Sequence, residues 1–204
     1  MLENNIGTLV VYAPIKGADL SLPLYPIERH LEVMGCKNER VKTEKYLVWK
    51  LLEKVVKEYL NIGFDNLQFT KTDNGQWICP SFYFSLSHTD SLVCVAVSDA
   101  PIGVDAEIVH VLRQEIAGRI LTDSEREMFC SLREKEKNDY LLSTWVKKES
   151  IFKMMGARAL LPKTIETDEH VTLLRQIKVE GRRYVIAVCS EAKNEIDFKF
   201  MEEI

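Results

Sequence analysis

The sequence predicts an α+β fold made of two halves that join near residue 100. Apolar residues recur at helical spacing in two long segments, and short β-branched or alternating segments lie around them. The elements follow the order strand, helices, strands, helices, strands, which is typical of an α+β protein. Since no internal sequence repeat is evident, the predicted division into residues 1–100 and 101–204 depends on element order alone.

The first half is predicted to contain a strand, a long helix and several further strands. The segment "GTLVVYAPI" is short and β-branched, which favours a strand. From Glu39 to Leu60 the apolar residues recur every three or four positions, and Asn61 to Gly63 end this predicted helix. "FDNLQFTKTDNGQWICP" predicts two strands around an Asp-Asn-Gly turn, and residues 82–109 predict three consecutive strands.

The second half is predicted to contain helices, a hairpin and a last strand. "LTDSEREMF" has a capping pattern, with Thr122 or Ser124 ahead of glutamates. "NDYLLSTWVKKESIFKMMG" predicts a long helix that Asn138 or Asp139 caps and Gly156 ends. "HVTLLRQIKVEGRRYVIAVCS" predicts a hairpin with a Glu-Gly turn, and "EIDFKFMEE" predicts a final strand.

The composition is that of a globular protein and argues against two classes of partner. Of the 204 residues, 46% are hydrophobic and 28% are charged, which is ordinary for a chain with an apolar core. With a net charge of −4 we expect no binding to nucleic acid, and no segment is long and apolar enough to cross a membrane. The five cysteines are scattered without a CxxC pair, which favours reduced thiols in a cytoplasmic protein.

Two carboxylates alternate with small residues in "GVDAE", residues 103–107, directly after an apolar run. On a strand, Asp105 and Glu107 lie about 7 Å apart on one face, with Val104 and Ala106 on the other. Such a pair suits a hard divalent cation such as Mg²⁺. The alternative, which this motif alone favours, is a pair of acids exposed at the end of a strand.

The segment "WVKKESIFK" adds a third carboxylate and lysines on a predicted helix. Glu149 and Lys153 are i,i+4 neighbours, while Trp145, Lys148 and Phe152 lie along one side. Glu149 can complete a metal site, and a lysine beside it can hold a phosphate. The alternative is a helix-surface ion pair worth roughly 0.3–0.5 kcal/mol.

Serine and histidine side chains end a predicted strand in "FSLSH". Ser85 and Ser87 alternate with Phe84 and Leu86, and His88 comes last. Because neighbours on an extended strand point different ways, Ser87 and His88 are a poor nucleophile and base pair for a hydrolase. As hydrogen-bond donors at a strand end they suit a phosphate, and a structural histidine is the alternative.

Taken in order, these three motifs resemble the 4′-phosphopantetheinyl transferase superfamily. The matching pattern is serine-histidine after a strand, then Gly-hydrophobic-Asp-x-Glu, then Trp-x-x-Lys-Glu-Ser-x-x-Lys, and it extends from about Arg40 to Lys153. The chain length is similar to that of the larger, monomeric, surfactin-synthetase-activating type. The trimeric holo-acyl-carrier-protein synthases of the superfamily have about half this length.

The resemblance implies two similar α+β halves related by pseudo-twofold symmetry, with coenzyme A bound between them. The implied reaction transfers the 4′-phosphopantetheine group from coenzyme A to a serine of an apo acyl or peptidyl carrier protein and releases adenosine 3′,5′-bisphosphate. The implied cofactor is Mg²⁺, the second half is expected to carry the metal site, and a cytoplasmic monomer is expected. Which carrier protein is used cannot be read from the sequence.

The resemblance also implies roles for residues of this chain. The implied metal ligands are Asp105, Glu107 and Glu149. Lys153 matches the lysine that contacts the pyrophosphate, and Glu149 is in addition the candidate base for the serine hydroxyl. The implied contacts with coenzyme A are His88 and Ser87 near its phosphates, with Lys148 adding charge to the same oxygens, and Arg40 and Lys45 on the first long helix. Glu125 in "LTDSERE" occupies the family's glutamate position.

Two departures from the family pattern affect the expected coenzyme A site. Gly75-Gln76-Trp77 stands where Gly-Lys-Pro is usual, and Trp49 stands where an arginine is usual. Residues 37–60 carry seven basic and four acidic side chains, which favours a solvated helix face, with attraction of phosphates or an acidic partner as the alternative. Arg40, Lys42 and Lys45 are candidates to replace the lost charge, and the sequence does not choose among them.

These departures leave two other functions open. The first is a non-catalytic relative that binds coenzyme A or a carrier protein without transferring the group. The second is a Mg²⁺-dependent phosphohydrolase that uses the same carboxylates and needs no carrier protein.

Overall fold

A computed structural model describes residues 7–192 and 195–204. Within these ranges the strands and α-helices are β1 Thr8–Pro14, α1 Ile27–Met34, α2 Glu39–Tyr59, β2 Thr70–Lys71, β3 Trp77–Ile78, β4 Tyr83–Thr89, β5 Leu92–Ser98, β6 Ile102–Ile108, α3 Ala117–Ile120, α4 Asp123–Ser131, α5 Glu134–Met155, β7 Thr172–Val179, β8 Arg182–Ser190 and β9 Ile196–Phe200. The predicted α+β class is confirmed. No α-helix in these ranges combines the length and the apolar character that a membrane span requires.

The strands form two main sheets and a small hairpin. The first sheet has the order β4-β5-β1-β9 and the second has the order β6-β8-β7, while β2 and β3 pair only with each other. Every pair is antiparallel except β1 with β9, which is parallel. The three predicted strands of residues 82–109 are therefore present, but the turn before β6 carries the chain from the first sheet to the second.

The molecule has four layers, because each sheet buries both of its faces. Helix α2 packs on the outer face of the first sheet through Val48, Leu52 and neighbouring apolar residues. The inner faces of the two sheets meet in a second core, in which Val10 and Cys94 lie in one cluster with Val104. Helix α5 covers the outer face of the second sheet.

Two helices differ from the sequence prediction. Helix α1 was not predicted, since Ile27 and Leu31 on it are exposed and give no core-facing pattern. Helix α5 begins at Glu134, so the prediction that Asn138 or Asp139 caps it is wrong. The Asn138 side chain instead accepts a hydrogen bond from the Leu112 amide and donates one to the His110 carbonyl, which fixes the preceding loop.

The last strand returns to the first sheet. The predicted boundary at residues 100 and 101 falls in the turn between β5 and β6, but β9 pairs with β1, with Thr8 opposite Ile196. Residues 101–204 therefore do not form a separate unit in space, because their last strand belongs to the sheet of the first half. The division into two halves stays a prediction.

Candidate active site

The site begins with the alternation of residues along β6. Val104 and Ala106 point into the core between the sheets, as predicted, and the other face of β6 lies under α5. Gly103 allows the helix to lie directly on the strand. A Cβ at Gly103 would collide with the Ser150 carbonyl oxygen and lie 2.6 Å from the Met154 amide nitrogen. This close approach places the "WVKKESIFK" helix over the "GVDAE" strand.

Asp105 is buried at the centre of this contact, with 6% of its surface exposed. Its Oδ1 accepts a hydrogen bond from Lys153 Nζ at 2.7 Å and another from Ser87 Oγ at 2.9 Å. Lys153 Nζ also donates to the Val104 carbonyl at 3.1 Å. The other oxygen, Asp105 Oδ2, is buried and has no hydrogen-bond partner among the described residues, which is uncommon for a buried carboxylate oxygen.

Two further carboxylates carry negative charge close to Asp105. Burial and, to a lesser extent, the charge of Asp105 raise the pKa of Glu149 to about 7, although the charge of Lys153 opposes the shift. Burial also raises the pKa of Glu107, again with a contribution from Asp105. The structure thus brings the three predicted metal ligands and Lys153 into one electrostatic cluster with excess negative charge.

The side chains of this cluster have the right donor atoms for a divalent cation, but they are not arranged as a complete set of ligands. Among residues 7–192 and 195–204, no group of three or more His, Cys, Asp or Glu side chains is placed so that it could hold a metal ion. The donor set is nevertheless all oxygen, which suits Mg²⁺. A cation bound here would give Asp105 Oδ2 the partner that it lacks among the described residues, and it would oppose the effect of burial, which raises the pKa values of Glu107 and Glu149.

His88 lies on the opposite face of β4 from Ser87 and points toward α2. Its Nδ1 lies 3.0 Å from Oε2 of Glu44, which is 5% exposed. Burial lowers the pKa of His88, the charge of Glu44 opposes this, and the charges of Lys153 and Lys45 add to the lowering. His88 is therefore within the electrostatic influence of two lysines, Lys45 of α2 and Lys153 of α5.

Two basic residues of α2 differ in their availability to an anion. Arg40 is exposed and forms ion pairs with Glu44 and Asp90 at 3.5 and 3.4 Å. The Lys45 ammonium forms no hydrogen bond or ion pair with any described residue, and Lys42 pairs with Glu39 at 2.6 Å. Of the basic residues that the sequence left open, Lys45 is thus the one whose charge is not already neutralised.

Lys148 does not reach this site. It is fully buried and its Nζ lies 2.6 Å from Glu125 Oε2 and 2.7 Å from the Pro162 carbonyl. Thr122 and Thr167 donate further hydrogen bonds to the same glutamate. The predicted contact of Lys148 with coenzyme A phosphates finds no support in this geometry, because its ammonium joins α4 and the 162–167 segment to α5.

Ser87 also has a different position from the one predicted. Its hydroxyl is 3% exposed, donates to Asp105 and accepts a hydrogen bond from the Ala106 amide at 3.1 Å. It therefore faces the carboxylates of β6, on the side away from His88. A role for Ser87 in phosphate binding finds no support in this geometry.

Sequence reasoning missed two contributors to the site. Glu44 is the buried partner of His88, and nothing in the helical pattern of α2 separates it from the exposed acids of the same helix. Gln76, treated as a lost lysine, donates from Nε2 to the Lys153 carbonyl at 3.3 Å, and Asn74 donates to the Gly156 carbonyl. The β2–β3 hairpin thereby holds the end of α5.

Two clefts lie on either side of the carboxylates. The first, of about 260 Å³, lies between the β2–β3 hairpin, β4 and the end of α5, and Lys153 lines it. The second, of about 490 Å³, is lined by Glu107 and His110 together with apolar side chains, among them Leu112, Leu142 and Trp145. An elongated ligand with phosphates near Lys153 has space on both sides.

Comparison with known proteins bears on this arrangement. Residues 101–200, which contain β6 and α5, match the family model of the 4′-phosphopantetheinyl transferase superfamily. Over these residues the chain is similar to the 4′-phosphopantetheinyl transferase superfamily. The resemblance inferred from "GVDAE" and "WVKKESIFK" is confirmed.

Three curated 4′-phosphopantetheinyl transferases are similar to about half of this chain. The 4′-phosphopantetheinyl transferase psf-1 of Bacillus pumilus is 29% identical over 109 residues, which is 52% of this chain and 47% of that protein. The 4′-phosphopantetheinyl transferases gsp of Aneurinibacillus migulanus and Sfp of Bacillus subtilis are each 27% identical, over 55% of this chain and 48% and 51% of their own lengths. The matched part thus spans about half the length of these relatives.

Proposed function

We propose that this protein transfers the 4′-phosphopantetheine group from coenzyme A to a serine of an apo acyl or peptidyl carrier protein and releases adenosine 3′,5′-bisphosphate. The observation that carries the proposal is the cluster of Asp105, Glu107, Glu149 and Lys153, brought together by β6 and α5 within the family-matched residues. The names of the similar proteins support the same activity.

The phosphates of coenzyme A are proposed to bind between Lys45, His88 and Lys153. An anion here would meet one ammonium that has no other partner and one that bridges to Asp105. The adenosine part is proposed to occupy the cleft of about 260 Å³ beside Gln76, and the pantetheine arm the apolar cleft beside Trp145. The low pKa of His88 would rise on binding a phosphate, because a nearby anion favours the imidazolium form.

Asp105, Glu107 and Glu149 are proposed to hold Mg²⁺. When bound, this ion would supply positive charge that neutralises the pyrophosphate, which otherwise repels a nucleophile. The serine hydroxyl of the carrier protein forms a new O–P bond to the pantetheine-side phosphorus, and the P–O bond to adenosine 3′,5′-bisphosphate breaks. Glu149 is proposed to accept the serine proton, directly or through a water, because it lies in the same charge cluster as Asp105 and Lys153. Whether Glu149 is base, ligand or both is part of the proposal.

The two halves are proposed to be related by a pseudo-twofold axis. Each half has the order strand, long helix, strand, strand, and its third strand pairs between the other two, as β5 lies between β4 and β1 and as β8 lies between β6 and β7. Each long helix covers the outer face of its sheet. This shared topology supports the proposal of two similar halves with the site between them.

The direct test is to mix the purified protein with coenzyme A, Mg²⁺ and an apo carrier protein and to weigh the carrier by mass spectrometry. We expect the mass of one phosphopantetheine group to be added, and we expect Asp105→Ala to abolish the transfer. Asp197→Ala is the control, because Asp197 is an exposed strand acid in the other sheet. If no carrier from fatty-acid, polyketide or peptide synthesis gains mass, the transferase proposal is wrong.

A second candidate, a non-catalytic relative that binds coenzyme A, is favoured by one observation. The two residues that replace basic family residues both make structural contacts instead of offering a charge. Trp49 is fully buried and donates to the Tyr25 carbonyl at 2.7 Å. Gln76 holds the end of α5. Calorimetry with coenzyme A separates the two functions. Binding without transfer to any carrier protein would support this second candidate.

A further inference from the structure

A row of hydroxyl side chains joins β4 to β6, although the two strands belong to different sheets. Ser85, Ser87 and Thr89 alternate along β4 and face β6. Ser85 Oγ accepts a hydrogen bond from the Val104 amide at 3.0 Å, and Ser87 Oγ accepts one from the Ala106 amide at 3.1 Å. Ser85 and Ser87 thus take the place of a backbone ladder between the sheets, and together with Thr89 they form what we call the hydroxyl row.

Two members of the hydroxyl row hold the carboxylates of β6. Ser87 Oγ donates to Asp105 Oδ1 at 2.9 Å, and Thr89 Oγ1 donates to Glu107 Oε2 at 3.1 Å. Ser87 is 3% and Thr89 is 9% exposed, so solvent does not compete strongly for either hydroxyl. The spacing of two residues on β4 therefore matches the spacing of the two acids on β6.

One oxygen of each carboxylate is thereby fixed by the protein. Oδ1 of Asp105 accepts hydrogen bonds from both Ser87 and Lys153, while its Oδ2 is buried and has no partner in residues 7–192 and 195–204. Thr89 holds Oε2 of Glu107 in the same manner. A carboxylate fixed at one oxygen loses little further rotational freedom when the other oxygen binds a cation, and hydrogen-bonded ligands bind metals more tightly for this reason.

We propose that Thr89 is a positioning residue of the metal site, which acts with Ser87 to turn Glu107 and Asp105 toward one cation. This inference rests on the proposed metal role of the two acids, and it assigns a task to a threonine that lies outside all three motifs of the sequence. Thr89 itself touches neither the cation nor coenzyme A. Its effect passes through the orientation of Glu107.

The test measures metal binding directly rather than activity alone. Mg²⁺, and Mn²⁺ as a tighter-binding probe, are titrated by calorimetry into the metal-free full chain and into Thr89→Val and Thr89→Ser. Valine keeps the shape and removes the hydroxyl, so we expect affinity to fall about 10- to 100-fold. Serine keeps the hydroxyl, so we expect affinity close to that of the unchanged protein.

The control is Thr8→Val, which removes a similarly buried hydroxyl, bonded to Ser98 Oγ at 3.1 Å, away from the carboxylates. It should leave metal affinity unchanged. Circular dichroism checks folding, and if Thr89→Val does not fold, the same titration is made with Thr89→Ala. A hydroxyl-free variant that binds Mg²⁺ as tightly as the unchanged protein would overturn this inference alone. An unchanged protein that binds no Mg²⁺ would overturn the metal role of the acids as well.

Discussion

At the scale of single residues, the ion pair between Lys148 and Glu125 places two opposite charges in the interior. Neither residue is more than 7% exposed, and their polar atoms lie 2.6 Å apart. If Lys148→Met removes the ammonium, Glu125 keeps a buried charge without a cation. We expect the free energy of unfolding to fall by about 3–5 kcal/mol, measured by urea denaturation.

The neighbouring lysine provides the control for this prediction. Lys147 is half-buried on the same helix and forms no ion pair with a described residue, so Lys147→Met should change stability by less than about 0.5 kcal/mol. Combining Lys148→Met with Glu125→Gln should recover much of the loss, because no unpaired charge is then buried. Equal effects of Lys147→Met and Lys148→Met would contradict the importance of the pair.

The pKa of Glu149 gives a prediction about pH. Its pKa of about 7 in the folded chain lies above the ordinary 4.5, so the folded protein binds more protons than the unfolded chain between these values. This contribution to stability is fully present below the ordinary pKa and is lost as the pH rises through about 7. In a chelating buffer, Glu149→Gln should therefore show a smaller decrease in Tm from about pH 5 to about pH 8 than the unchanged protein.

Added Mg²⁺ sharpens this test. A cation favours the ionised carboxylates, so it should raise Tm more at about pH 8 than at about pH 5. A Glu149→Gln profile that is parallel to that of the unchanged protein would show that Glu149 does not titrate in this range.

Some features of the site residues could be predicted from the sequence and others could not. The shared face of Asp105 and Glu107 follows from strand alternation, and it was predicted. The burial of Lys148 was not, because charged side chains are almost never fully buried unless paired, and neither the capping pattern nor the family position of Glu125 identifies it as the partner of a lysine 23 positions away. Thr89 was missed for a similar reason, since its contact with Glu107 depends on how β4 of the first sheet packs against β6 of the second.

At the scale of elements, the contact between β6 and α5 depends on the absence of a side chain at Gly103. Gly103→Ala would place a Cβ against the Ser150 carbonyl and the Met154 amide, which are backbone atoms of a helix and cannot turn away. We expect a loss of stability of about 3 kcal/mol or more, at or beyond the upper end for overpacking. Urea denaturation gives the loss, and transfer activity should fall with it because Glu149 and Lys153 move relative to Asp105.

Gly17→Ala is the control, because a Cβ at Gly17 meets no atom within 4 Å. This variant should be within about 0.5 kcal/mol of the unchanged protein. If Gly103→Ala is as stable and as active as Gly17→Ala, β6 and α5 do not depend on this close approach.

The elements themselves were largely predictable, since periodicity reports which face of a segment is buried. Helix α2 and strands β4 to β6 were predicted for this reason. The start of α5 was not, because Glu134 to Lys137 contain no apolar residue to show the helical period. Nor does a sequence reveal that β6 leaves the sheet of β5, because a strand that changes sheets has the same alternation as one that does not.

At the scale of the whole molecule, the core between the sheets should make the protein unfold in one step. Val10 and Cys94 of the first sheet share this core with Val104 and Ile186 of the second. In Trp145→Phe the remaining tryptophans, Trp49 and Trp77, report on the first half by fluorescence, while circular dichroism reports on all helices. We expect the two urea transitions to have the same midpoint; separate midpoints would show that the halves unfold independently.

The return of β9 to β1 has a consequence for anyone who wishes to dissect this protein. The family-matched region, residues 101–200, ends in a strand that completes the other sheet. If that region were expressed alone, β9 would lack its partner, and the remainder would carry β1 as a bare edge with unpaired backbone groups open to aggregation. The unit that comparison recognises is therefore not a module that can be removed. Minimal versions of the protein should be sought by shortening loops around both sheets rather than by cutting between them.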